Sequence, residues 1–140
     1  MGGATGTGIT LYSRWRCGPD EGWKKTEMHG VSWHGGPGAT VSGAGLTAGG
    51  FWVVRIPYMA MAPGYLSPDE WDCGDGVGFF ERHWTLRPGD VLAKGHGLPE
   101  AEGSILEATS RLGECFVVSG VRDNRRGAQA GWHLRAEGGG

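Results

Sequence analysis

The stretch Phe51-Trp52-Val53-Val54-Arg55-Ile56-Pro57-Tyr58 decides the fold class. In an extended chain Trp52, Val54, Ile56 and Tyr58 fall on one side and Phe51, Val53 and Arg55 on the other, so a period of two places apolar groups on both faces. Both faces of such a strand are expected to be at least partly covered. Pro57 cannot donate to a ladder and marks the strand's end or an edge position.

The same period recurs to either side of this stretch. Over residues 9–16, Ile9, Leu11 and Trp15 alternate with Thr10, Tyr12, Arg14 and Arg16. The turn-forming run Cys17-Gly18-Pro19-Asp20-Glu21-Gly22 precedes a second extended run over residues 23–33, which predicts a hairpin with a long loop. Residues 34–50 read as a glycine-rich loop with one short strand around Thr40 and Val41. Residues 59–81 form a long connection in which Ser67 caps, and Pro68 opens, a single helical turn.

Two further strands, 84–86 and 90–94, flank Arg87-Pro88-Gly89-Asp90, where proline presets φ and glycine accepts the positive φ of a type II turn. Ser104 and Glu107 form a capping box for a helix over 104–112, closed by Gly113. Residues 115–121 and 132–137 are the last strands. The expectation is an all-β or β-rich domain with one short helix, a small barrel or sandwich of about six to eight strands with long loops. It occupies residues 9–137, between flexible glycine-rich tails at 1–8 and 138–140.

Composition agrees with many short elements joined by turns. Glycine accounts for 29 of 140 residues without a collagen period, against an ordinary share of ~7%. Thirteen Lys and Arg against 15 Asp and Glu do not make the basic footprint of a sequence-specific nucleic-acid binder. No apolar run approaches the ~18 residues of a membrane span, and no secretion signal is legible. Three widely spaced cysteines, Cys17, Cys73 and Cys115, predict thiols in a reducing compartment.

No complete catalytic or cofactor constellation is found. There is no C-x-x-C pair and no zincin spacing of histidines, and the acidic stretch 69–75 fails as a calcium loop because Arg82 falls where its bidentate Glu belongs. His34-Gly35-Gly36 lacks a partner G-x-S-x-G elbow. The expectation is therefore no enzyme, no cofactor and no metal.

Of seven tryptophans, Trp15, Trp33, Trp52, Trp84 and Trp132 lie in predicted strands and read as core. Trp23 and Trp71 lie at loop margins, where aromatic anchors of an interface are enriched. They are also the stacking platforms of a competing reading, a glycan- or ligand-binding β-domain. The cluster Arg122, Asp123, Asn124, Arg125 and Arg126 has two readings of equal weight, a polar turn or a contact with protein or phosphate.

One resemblance runs through these pieces. Gly30-Val31-Ser32-Trp33, Val54-Arg55-Ile56-Pro57, Trp84-Thr85-Leu86, Pro88-Gly89-Asp90-Val91-Leu92, Lys94-Gly95, and Val121-Arg122-Asp123-Asn124-Arg125-Arg126 followed by Trp132 are similar to a family of short uncharacterised proteins of tailed phages and prophages. These are encoded among capsid, connector and tail genes. The chain departs from them in having Ala128-Gln129-Ala130-Gly131 where a proline is expected.

The resemblance implies a virion structural protein, a head-to-tail connector of the head-completion type, acting as one subunit of a homo-oligomeric ring. Minor capsid and tail-terminator roles are its alternatives. Implied partners are further copies, portal or adaptor and tail proteins, with no membrane and at most passive contact with packaged DNA. Assembly would take place in the host bacterial cytoplasm. Such a subunit needs a rigid core, strand edges able to accept neighbours, and loops that order when the ring forms.

Overall fold

The computed structural model of the chain describes residues 6–36, 40–42, 45–47, 50–71, 78–110, 112–124 and 131–139. Six strands close into one antiparallel barrel: β1 (Thr7–Cys17), β2 (Asp20–Gly36), β5 (Phe51–Pro57), β6 (Val91–Lys94), β7 (Cys115–Asn124) and β8 (His133–Gly139). Their order around the barrel is β1-β2-β5-β8-β7-β6. Two three-residue strands, β3 (Thr40–Ser42) and β4 (Gly45–Thr47), form a separate hairpin between β2 and β5.

The stretch that decides the fold class lies in the middle of the sheet. β5 pairs with β2 on one side and β8 on the other, and Trp52, Val54 and Ile56 all point into the core. They meet Ile9, Leu11, Trp84, Leu86, Leu92 and Leu134, each essentially inaccessible to water. Burying each such side chain contributes about 1.5–3 kcal/mol. A smaller cluster of Tyr12, Trp23, Val91, Ala93 and Ala108 packs outside the barrel wall, between the wall and the segment that carries α2 (Ile105–Thr109).

Several local expectations hold atom by atom. Asp90 N–H donates to Arg87 O at 3.1 Å across a turn in which Gly89 has φ +98°. Ser104 Oγ accepts from Glu107 N–H at 3.2 Å, and Ser67 O accepts from Glu70 N–H at 2.9 Å in the 3-10 turn Pro68–Glu70. The connection 59–81 also contains a 3-10 turn at Tyr58–Ala60 and the short helix α1 (Gly78–Arg82).

Others differ. The β1–β2 hairpin has a tight connection, because Cys17 pairs with Asp20 and only Gly18 and Pro19 lie between. Gly18 has φ +61°, which a two-residue hairpin turn requires at that position. Glu21 reinforces the hairpin end by accepting Arg14 and Arg16 at 3.2 and 3.1 Å. Residues 84–86 form only an isolated bridge, Tyr65 with Trp84, instead of a strand. α2 ends at Thr109, short of 112.

Both expected tails are also cut back. Thr7 and Gly8 belong to β1, and β8 continues through Gly138 and Gly139. Gly138 is buried between Trp52 and Val118, and a Cβ there would strike the Val117 carbonyl, so the glycine is needed for close strand approach.

Candidate functional site: the open flank of a long strand

β2 is long because it serves two neighbours in succession. Residues from Asp20 to Val31 pair with β1, and only from Ser32 to Gly36 does it pair with β5. The register slips by one residue near His29 and Gly30, and Gly30 takes φ +81° at that bulge. Among the described residues, the first part of β2 therefore has a neighbour on one flank only.

Hydrogen bonds on β1 identify which backbone groups face that open flank. Arg14 N–H donates to Asp90 Oδ1 at 3.0 Å, and Arg14 O accepts from Trp71 Nε1 at 2.9 Å and from Arg87 Nη2 at 2.7 Å. Both main-chain groups of Arg14 thus point away from β2. Its partner across the ladder is Trp23, whose N–H and C=O must then point away from β1. By alternation the same holds for Lys25 opposite Tyr12 and Glu27 opposite Thr10, which agrees with Tyr12 and Thr10 pairing with β6. Among the described residues nothing pairs with these outward groups.

A groove of about 420 Å³ runs along this flank, and its lining comes from both faces of the strand. On one side stand Trp15, Lys24, Phe80 and Glu81; Trp15 stacks on Phe80 at 5.0 Å and Lys24 Nζ donates to Glu81 O at 2.7 Å. On the other side Tyr12 Oη donates to Pro99 O at 2.7 Å, Trp23 Nε1 donates to Gly103 O at 3.1 Å, and Lys25 is 3.4 Å from Glu100. Glu27 accepts from Gly97 N–H at 2.8 Å, a bond that holds its carboxyl below the usual range. The backbone edge of β2 is thus framed by two walls, as a strand-accepting groove requires.

The residues singled out in the sequence are distributed differently. Trp23 lies inside β2 and Trp71 beside the Arg14 carbonyl, and the two residues are 8% and 9% exposed. Trp71 packs edge-on against Phe80 at 4.7 Å, and the Arg14 guanidinium lies 5.3 Å from the Trp23 ring centre. The two side chains expected as interface anchors or stacking platforms are thus mostly covered within the chain, although Trp23 still lines the groove. What Trp23 offers outward is its backbone.

Arg122, Asp123 and Asn124 end β7, paired with Arg135, Leu134 and His133. The Asn124 amide contacts His133 Nε2 at 3.1 Å, while Arg122 and Asp123 are exposed. Arg125, Arg126 and Cys73 lie outside the described residues. The arginine cluster and the groove are thus carried by different strands.

Two acidic side chains are tied into the barrel by hydrogen bonds. Asp90 is fully buried, and burial pushes its carboxyl up to about 7 against the opposing N–H bonds of Arg14 and Arg87 and the Arg87 charge. Glu114 Oε2 accepts both Trp52 Nε1 and Trp33 Nε1 at 2.9 Å, and these two bonds lower its pKa. Both have structural work that accounts for them. Among the described residues no three His, Cys, Asp or Glu side chains converge as a metal site would require, and no helix is long and apolar enough to cross a membrane.

The model of a family of unknown function, DUF6751, matches residues 4–139 of the chain. No curated protein and no solved structure matches it.

Proposed function

Taking as premise that the chain belongs to the DUF6751 family, we propose that it is a structural subunit of a tailed-phage virion, joining head to tail as one copy in a ring. The observation that carries this reading is the open flank of β2 in an otherwise closed barrel. A barrel normally removes strand edges, and an edge left open alongside a walled groove is a surface for pairing with another chain. The resemblance to phage connector-region proteins supplies the setting: assembly in the bacterial cytoplasm against portal, adaptor or tail proteins.

A ring subunit must present two different surfaces, since head-to-tail contacts close a ring where a shared patch closes only a dimer. The open flank is one such surface. The end of β7 at the exposed Arg122 is a candidate for another, and arginine there suits carboxylates of a neighbour.

Deleting the gene from the phage tests the role. Unjoined heads and tails are expected in electron micrographs of the lysate, because neither shell needs a connector to build its own lattice. Normal tailed particles would sink the proposal. Capsid protein left unassembled would move the assignment to a minor capsid role.

A further inference from the structure

We propose that the open flank of β2 at Trp23, Lys25 and Glu27 accepts a strand, and that the strand it accepts is the β3–β4 hairpin of a second copy of this chain. The inference rests on the ring reading above and supplies the contact between neighbours.

The acceptor is unguarded. Proteins commonly protect an open edge with charged side chains free to obstruct a neighbour. Here the charged residues of the edge are tied to the groove wall, Lys25 by Glu100 and Glu27 by the Gly97 N–H. Their backbone groups face out, and among the described residues nothing takes these three N–H and three C=O groups.

The donor is equally incomplete. Among the described residues β3 and β4 pair only with each other, and neither has a partner on its second flank. Two strands of three residues are below the size at which a hairpin is stable in water, and a third strand is the usual remedy. No charged residue occurs between His34 and Arg55, so the hairpin carries no charge that would oppose pairing.

Their placement favours contact between copies. The groove lies at the beginning of β2 and the hairpin leaves the barrel after its last residue, Gly36. Gly36 lies nine positions after Glu27, about 30 Å of strand contour at ~3.3 Å per residue. Donor and acceptor on one subunit thus face different neighbours, which is a heterologous arrangement.

A synthetic peptide of residues 39–48, titrated to millimolar concentration into the ¹⁵N-labelled full chain, tests the assignment. Amide shifts centred on Trp23, Lys25 and Glu27 are expected. Lys25→Pro removes an outward N–H without touching the β1 ladder and should weaken binding at least tenfold, while Lys25→Ala should retain it. Absence of shifts at those three amides in the wild-type chain would overturn the proposal, and that reading does not depend on how the proline variant folds. Equal binding of a scrambled peptide would remove the hairpin as occupant. Portal-templated rings that form normally with Lys25→Pro would reject this contact and leave the ring role standing; peptide binding beside normal tailed particles in the deletion lysate would do the reverse.

Discussion

The two flanks of the β1–β2 hairpin meet opposite fates at a single residue pair. On the β1 side, Arg14 has its N–H taken by Asp90 and its carbonyl by Trp71 and Arg87. On the β2 side, Trp23 sits directly across the ladder and its outward backbone groups have no partner among the described residues. Leaving such groups unpaired is costless only where water or another chain reaches them. One flank is therefore built into the fold, and the other is held ready for pairing.

The sharpest way to break this contrast is to strip each flank in turn. Trp71→Ala removes a buried indole and one donor to Arg14 O, and should cost about 3–5 kcal/mol of unfolding free energy, read from the denaturant midpoint. Lys25→Pro on the open flank should stay within about 1 kcal/mol, since a proline at an edge loses no ladder bond. Comparable losses from the two substitutions would mean that the β2 flank is already engaged within the chain.

A smaller effect comes from the acid that closes the β1 flank. Because the folded state raises the Asp90 carboxyl from 3.8 to about 7, the native chain binds more protons than the unfolded chain between those values. Its contribution is fully present below pH ~4 and is lost as pH rises towards 7, an effect on the order of 2–4 kcal/mol. Asp90→Asn should flatten that slope when stability is measured by denaturation across pH 4–8. An unchanged slope would show that Asp90 is ionised throughout.

The least perturbing comparison is hydrogen exchange in the free chain. The Arg14 amide, bonded to the buried Asp90 carboxyl, should exchange slowly, and those of Trp23, Lys25 and Glu27 should exchange rapidly. Equal protection of the four would erase the difference between the flanks.

Most of the strands, the helix starts at Ser67 and Ser104, and the turn at Arg87-Pro88-Gly89-Asp90 were legible in the sequence, because each depends on residues close in the chain whose backbone preferences act locally. The period of two over residues 51–58 placed Trp52, Val54 and Ile56 on the core face, but the cover expected over the other face is largely missing, since Phe51 and Arg55 are exposed and only Val53 is half-buried. The candidate site was less legible. Trp23 and Trp71 looked like anchors because loop-margin tryptophans often are, yet their burial depends on Gly103 and Arg14, 80 and 57 residues away. That β2 would carry an open flank follows from where β5 begins to pair with it, and that Arg14 would be closed off follows from Asp90, 76 residues along the chain. By itself, then, the sequence determined which segments are strands and where they turn; only the tertiary structure decided which strand edge is covered and which is open, because edge pairing is a contest among segments distant in the chain and no local preference records its outcome.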